Sequence, residues 1–131
     1  MTRDELAERI REEGLVLLDV RTRDEFSGAA GYPCDPRQGH IPGARNLDLQ
    51  ELAALGRPEL VREHLGLPER AEIVAYCHSG SRSAIAVTIL RRAGYEARNY
   101  VGSWHEWSRD PDLPGETGGT AATWPLEQGR G

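Results

Sequence analysis

The sequence predicts an α/β fold in which a mainly parallel sheet carries helices on both faces. Two short runs, residues 15–20 and 72–76, are largely apolar at consecutive positions. Strands of this composition are typical of parallel sheets, where both faces of a strand are buried. Segments with helical caps and spacing lie between such runs, and this alternation indicates an α/β sheet. Because ligands bind beyond the carboxyl ends of parallel strands, we expect a functional site there.

Capping and turn residues delimit the elements along the chain. Thr2 with Glu5 and Thr22 with Glu25 fit capping boxes at the starts of two helices. Gly94 is expected to end the helix that follows Cys77. The predicted order is helix 2–11, strand 15–20, helix 22–26, loop 27–39, strand 44–47, a helix from residue 48, helix 58–65, strand 72–76, a helix up to Gly94 and strand 96–101.

Size and composition fit a single globular domain. The chain has 131 residues, of which 38% are hydrophobic and 28% charged. No apolar run approaches the roughly 20 residues needed to cross a bilayer, and a net charge of −5 gives no electrostatic footprint for nucleic acid. From about residue 110 the chain has little to bury. We therefore predict a domain over residues 1–110 and a flexible or loosely docked tail over residues 111–131.

The chain has two cysteines, Cys34 and Cys77, which are too few for a disulfide framework. The N-terminus carries acids and lacks an apolar signal core, so we expect a cytoplasmic protein. No His/Cys spacing is typical of a zinc site, and no Gly-rich loop matches a nucleotide-binding motif. We therefore expect neither a metal nor a cofactor.

Cys77 stands where the strand at residues 72–76 ends, and a helix is expected to begin about five residues later. Backbone N–H groups and the positive end of the helix dipole would then point at its sulfur. Such surroundings lower a thiol pKa from about 8.5 to roughly 3.5–7.5. Gly80, the adjacent serines and Arg82 would complete an anion cradle, which packing alone does not require. We interpret Cys77 as a reactive thiolate rather than a small buried apolar residue.

Four motifs occur in order between residues 5 and 110. They are Asp19-Val20-Arg21 with Glu25-Phe26, the run Gly39-His40-Ile41-Pro42-Gly43-Ala44, the Cys77 loop, and Gly94-Tyr95 with Gly102-Ser103-Trp104-His105-Glu106-Trp107. In this order and spacing they resemble a rhodanese-homology domain, of the single-domain thiosulfate sulfurtransferase type. The resemblance implies a five-stranded, mainly parallel sheet flanked by helices.

The resemblance also implies an activity. Cys77 would be the catalytic residue of a thiosulfate sulfurtransferase, taking a sulfane sulfur from thiosulfate or a related donor as a persulfide. It would then pass that sulfur to a thiophilic acceptor such as cyanide or a thiol. The implied partners are a small sulfur donor and acceptor, or a second protein that gives or takes sulfur.

The expected substrate-binding groups surround Cys77. Since thiosulfate releases a doubly charged oxyanion, Arg82 is the first candidate cation and Arg21 the second. Backbone N–H groups of residues 78–82 would hold the anionic sulfur. The full set predicted to bind substrate is Arg82, Arg21, His78, Ser79, Gly80 and Ser81, with hydroxyl donors from the serines and a tight turn at the glycine.

Other residues are assigned supporting roles. Asp19 is expected to order the loop and pair with Arg21, and His40 is expected to be a structural turn residue. Arg21 is left open between pairing and lining the pocket. Cys34 is either an inert loop thiol or a resolving thiol for Cys77. Tandem-domain relatives often carry an arginine where this chain has Glu25, which argues against mercaptopyruvate as donor.

Loop length separates the competing functions. Four residues lie between Cys77 and Arg82, whereas cysteine phosphatases place five there and cradle a larger tetrahedral oxyanion. The shorter loop favours sulfur transfer over phosphatase or arsenate chemistry. Two further alternatives remain: a persulfide relay or carrier that serves a partner protein, and a non-catalytic rhodanese module that only binds partners.

Overall fold

The structure is a computed structural model that describes residues 1–119 and 122–124. Four strands, β1 (Leu15–Asp19), β2 (Arg45–Asn46), β3 (Glu72–Tyr76) and β4 (Glu96–Asn99), form one sheet in the order β2-β1-β3-β4. Every neighbouring pair is parallel, so the carboxyl ends of the strands lie at one edge. The α/β fold class is confirmed. Within the described ranges the sheet has four strands, one fewer than the resemblance implied.

Six helices connect or flank the strands in the described part of the chain. They are α1 (Arg3–Arg9), α2 (Arg23–Ser27), α3 (Leu49–Ala54), α4 (Pro58–Leu65), α5 (Ser81–Arg92) and α6 (Ser103–Trp107). Both predicted capping boxes are present, at Thr2 and Thr22. At 12 residues α5 is the longest, and none of the described helices has the length and apolar character to cross a bilayer.

The two faces of the sheet bury two separate apolar cores, because successive strand residues point in opposite directions. Ile73 and Ala75 of β3 face one core, whereas Val74 and Tyr76 face the other. The first core also contains residues of α3, α4 and α5, namely Leu52, Val61, Leu65, Ala86, Val87 and Leu90. The second contains Leu6, Phe26, Trp104 and Trp107 from α1, α2 and α6. Helices therefore cover both faces, as predicted.

The first core includes Cys77, and the carboxyl end of β3 leads directly into the loop that carries it. Gly80 ends this loop as the N-cap of α5, with a φ of 99°. A Cβ at this position would lie 2.8 Å from the Val101 carbonyl oxygen. Glycine is therefore required both by the backbone conformation and by the close approach.

The described part of the predicted tail packs against the domain. His40 and Glu116 exchange backbone hydrogen bonds of 2.8 and 2.9 Å, and Thr123 forms an isolated parallel bridge with Asn46 of β2. Trp124 is 3% exposed and belongs to the first core. The domain boundary near residue 110 stays a prediction, but these contacts were not expected from the composition.

Replacement of Trp124 by alanine tests how firmly this segment is docked. Because Trp124 is almost completely buried, we expect the free energy of unfolding to fall by about 3 kcal/mol, as for other buried aromatic residues. Urea denaturation measures the change. In the control Glu116→Ala, the lost side chain is 56% exposed, and we expect a change within about 0.5 kcal/mol. Similar small effects of both substitutions would support the loosely docked tail instead.

Candidate active site

The sulfur of Cys77 lies at the centre of converging donors. Sγ accepts hydrogen bonds from the N–H of Gly80 at 3.1 Å, the N–H of Ser83 at 3.4 Å and the hydroxyl of Ser83 at 3.3 Å. Burial raises the pKa of the Cys77 thiol, but these bonds and the Ser79 N–H outweigh burial and lower the pKa below its usual value. The structure thus has the anion cradle expected around Cys77, and it favours a thiolate.

Cys77 is 0% exposed, although the sequence analysis interpreted it as a reactive thiolate rather than a small buried apolar residue. The loop folds back over the sulfur, since the donors on Gly80 and Ser83 must approach within hydrogen-bond distance. A reaction partner must therefore displace groups at the mouth of the loop to reach Sγ.

Ser83 and Ser103 are the residues that sequence reasoning missed. The start of α5 at Ser81 makes Ser83 the third helical residue, whose N–H has no partner within the helix and faces the sulfur. Ser103 accepts the N–H of Cys77 at 3.0 Å and adopts a φ of 55°. A helix start expected about five residues after Cys77 placed Ser83 in the first turn, but the direction of its hydroxyl depends on the exact register of α5. Nothing local in the sequence indicated Ser103, which lies 26 residues after Cys77.

The two serines named beforehand have a smaller part than expected. Ser79 and Ser81 are exposed, and their hydroxyls make no hydrogen bond to Sγ among the described residues. Only the backbone N–H of Ser79 acts on the sulfur. The predicted hydroxyl donation from these residues is corrected: the buried Ser83 supplies it, because its position in the first turn of α5 faces the loop.

Arg82 is held by a carboxylate. Its Nη1 and Nη2 donate to Oε1 and Oε2 of Glu25 at 2.8 and 3.0 Å. Burial raises the pKa of Glu25, but bonds from Arg82 and the Thr22 backbone bring it down to about 2, so the carboxylate is ionised at neutral pH. The pair borders a cleft that is also lined by Thr22, Gly31, Tyr32 and Pro33. The expected cation is present at the mouth, but its charge is neutralised.

Arg21 is not among the residues that line this cleft. It is 1% exposed, and its guanidinium donates to Asp19 at 2.7–3.1 Å and to the Gly39 carbonyl at 2.6 Å. The rings of Tyr76 and Trp104 lie 5.7 and 5.5 Å from it. Its prediction as a substrate-binding cation is corrected, because the guanidinium is buried and paired with the Asp19 carboxylate. The alternative, pairing with Asp19, agrees with these contacts.

His40 lies in a packed position. Its Nδ1 lies 2.7 Å from the carbonyl oxygen of Phe26, and the two rings stack at 3.7 Å. His40 is 3% exposed. Its contacts are those of a residue that fixes the turn after the loop at residues 27–39.

His78, which was predicted to bind substrate, is buried at 8% exposure. Its ring stacks on Tyr32 at 3.7 Å, and Nε2 lies 3.0 Å from Oδ2 of Asp35. These contacts hold the side chain to the segment that carries Cys34, which is exposed. His78 therefore joins the active-site loop to this segment instead of facing solvent.

Comparisons with known proteins identify the family to which the chain belongs. The family model described as "Rhodanese-like domain" matches residues 2–110. A probable 3-mercaptopyruvate sulfurtransferase of Pseudomonas aeruginosa is 38% identical over 122 residues, which is 86% of this chain and 43% of the relative. A thiosulfate sulfurtransferase of Corynebacterium glutamicum is 39% identical over 118 residues, covering 80% of this chain and 39% of the relative.

A solved structure, the crystal structure of a probable thiosulfate sulfurtransferase, is 46% identical to this chain with a TM-score of 0.76. The match covers 88% of this chain and 46% of that one. This chain thus spans less than half the length of these three proteins. With a family match over most of its length and the same fold, the chain belongs to the rhodanese-like domain family.

Proposed function

We propose that this chain is a thiosulfate-type sulfurtransferase that carries sulfane sulfur as a persulfide on Cys77. The observation that carries the proposal is the convergence of three hydrogen-bond donors on Sγ at the strand-to-helix turn. Such donors stabilise the thiolate that attacks the sulfur donor and the thiolate that is restored when the outer sulfur leaves. The sulfurtransferase names of the relatives support the same chemistry.

The reaction has two displacement steps. The Cys77 thiolate attacks the outer sulfur of thiosulfate, the new Sγ–S bond forms as the S–S bond of the donor breaks, and the electron pair leaves with sulfite. Cyanide or a thiolate then attacks the outer sulfur of the persulfide, and the electron pair of the broken bond returns to Sγ. In the persulfide the negative charge lies on the outer sulfur. When the acceptor removes that sulfur the charge returns to Sγ, where the N–H groups of Gly80 and Ser83 stabilise it again.

The remaining predicted residues have positioning roles in this proposal. The Asp19–Arg21 pair and His40 hold the backbone around the site, while Arg82 is the cation available to a donor at the cleft. Because Glu25 neutralises Arg82, a second candidate function is a persulfide relay that exchanges sulfur with another protein. Pairing with Glu25 weakens the attraction of Arg82 for dianionic thiosulfate more than its attraction for a sulfur donor of low charge.

Intact-mass measurement after incubation with thiosulfate tests the main proposal. We expect the wild-type chain to gain the mass of one sulfur atom, because only Cys77 has the donors that stabilise a persulfide. Cys77→Ser should gain none, and Cys34→Ser should gain the same mass as wild type. Persulfide on the Cys77→Ser chain, or none on the wild type, would overturn the mechanism.

Removal of the Ser83 hydroxyl tests the cradle. In a Cys34→Ser background, where one thiol titrates, Ser83→Ala should raise the pKa of Cys77, because the thiolate loses a hydrogen-bond donor that lowers it. The ultraviolet absorbance of the thiolate as a function of pH measures the shift. At a pH below the new pKa the variant should react with thiosulfate more slowly, since less thiolate is present.

Ser81→Ala is the matched control, since Ser81 lies in the same turn of α5 but is exposed and makes no hydrogen bond to Sγ. Its pH profile should equal that of the parent protein. Equal shifts in both variants would show that the Ser83 hydroxyl has no specific part in stabilising the thiolate.

Glu25→Gln tests the charge at the cleft. Glutamine retains an acceptor for the Thr22 cap but removes the charge that neutralises Arg82. We expect kcat/KM for thiosulfate to rise about tenfold, which corresponds to about 1.4 kcal/mol, and kcat/KM for a small alkyl persulfide to change less. Steady-state thiocyanate formation measures the first and persulfide consumption the second. Arg82→Ala should have the opposite selectivity; equal losses with both donors would exclude Arg82 as a donor-binding cation.

A further inference from the structure

Asp35 lies among three side chains that bind thiophilic metals. Oδ1 of Asp35 lies 3.9 Å from Sγ of Cys34 and 3.5 Å from Nδ1 of His105, and Oδ2 lies 3.0 Å from Nε2 of His78. One ligating atom from each of the four residues lies within 4.8 Å of the other three. The residues belong to the loop before His40, the Cys77 loop and α6, so no spacing along the sequence indicated a zinc site.

One oxygen of Asp35 lacks a hydrogen bond. The side chain is 1% exposed, and Oδ1 accepts a hydrogen bond from Nη1 of Arg109 at 2.8 Å and also lies 3.3 Å from Nε2 of His78. Oδ2 accepts none from the described residues, although Nε2 of His78 lies close to it. A buried carboxylate oxygen without such a partner is uncommon, because its desolvation costs free energy. The free oxygen lies next to the imidazole of His78, where a cation would satisfy both groups.

We propose that Cys34, Asp35, His78 and His105 form a binding site for a thiophilic divalent cation, best matched by Zn²⁺. One thiolate, two imidazoles and one carboxylate are ligands that zinc accepts in tetrahedral sites. Zinc–ligand bonds of about 2.0–2.3 Å place neighbouring ligand atoms roughly 3.3–3.7 Å apart. The ligand atoms of the cluster lie within 4.8 Å of one another, so binding needs a contraction of at most about 1.5 Å.

For the cluster to contract around an ion, some of its residues must move while others stay in place. Asp35 is fixed, because the nearby Arg37 donates hydrogen bonds to four backbone carbonyls between residues 107 and 113. His78 is fixed by its stacking on Tyr32. Cys34 is exposed and the His105 side chain is 47% exposed, so these two can move inward and admit the ion from solvent.

The charges are compatible with a bound cation. Arg109 occupies Oδ1 and leaves Oδ2 available, while the Cys34 thiolate adds a second negative charge when the metal displaces its proton. Four protein ligands complete a tetrahedral shell, so the ion would hold the structure rather than activate water. It would join the segment at Cys34 to His78, next to the nucleophile. The site is independent of the proposed sulfur transfer, since Cys77 is not a ligand.

Cobalt titration of the full chain tests the site, with Cys77→Ser as background so that Cys34 is the one thiol. We expect one equivalent of Co²⁺ to give the visible bands of tetrahedral cobalt and a thiolate-to-metal charge-transfer band, both lost on addition of Zn²⁺. Cys34→Ser should abolish the charge-transfer band. His105→Ala should weaken Zn²⁺ binding by about tenfold or more, since even groups behind the ligands contribute about 10–100-fold.

His64→Ala is the matched control, because His64 lies on α4 outside the cluster, and it should bind Zn²⁺ as the background protein does. Circular dichroism confirms that each variant is folded. The proposal is wrong if cobalt binds without the charge-transfer band, or if His105→Ala and His64→Ala have equal affinities. Because the background protein lacks Cys77, these outcomes do not depend on whether the chain transfers sulfur.

Discussion

Stabilisation of negative charge on a buried sulfur is the constraint on which the active-site structure depends. Burial alone would raise the pKa of Cys77. The hydrogen-bond donors that converge on Sγ outweigh burial and lower that pKa below its usual value. Two of the donors belong to the first turn of α5, where N–H groups have no partner within the helix. The third, from Gly80, requires the positive φ that places its N–H beside the sulfur. Strand end, glycine and helix start are thus parts of one arrangement.

Helix α6 gives this arrangement a second support. The N–H of Trp104 donates to the Cys77 carbonyl at 3.0 Å, and the N–H of His105 donates to the His78 carbonyl at 2.9 Å. Ser103 binds the N–H of Cys77 through its hydroxyl. Trp104 and Trp107 anchor α6 in the second core, so apolar packing on one face of the sheet fixes the backbone of the loop. The conformation of the loop therefore depends on residues that follow Cys77 by more than twenty positions.

The features that sequence reasoning predicted are those with a local cause. Capping at Thr2 and Thr22, the apolar strands β1 and β3, and the turn at Gly80 all follow from short-range rules, and the structure has them. The reduced role of the Ser79 hydroxyl could not be anticipated, because it depends on the register with which α5 begins. The docking of Trp124 was missed because a single apolar residue in a polar segment carries little compositional signal.

Pairings between residues far apart in the sequence could not be predicted, for a different reason. Glu25 and Arg82 are separated by 57 positions, and each has an acceptable local role as a cap or a loop cation. The strength of their pairing depends on a bidentate geometry that only the fold defines. The same holds for Arg21, whose burial among Asp19, Tyr76 and Trp104 converts an apparent substrate cation into part of the core.

Because of these long-range pairs, the charge on Sγ and the charge of the cleft are determined by different parts of the chain. The Cys77 loop determines the nucleophile, since its donors act on Sγ regardless of which molecule approaches. The charge of the cleft is determined elsewhere, by α2, which places the Glu25 carboxylate against Arg82. A substitution of Glu25 would therefore change the net charge at the cleft without altering any hydrogen bond to Sγ.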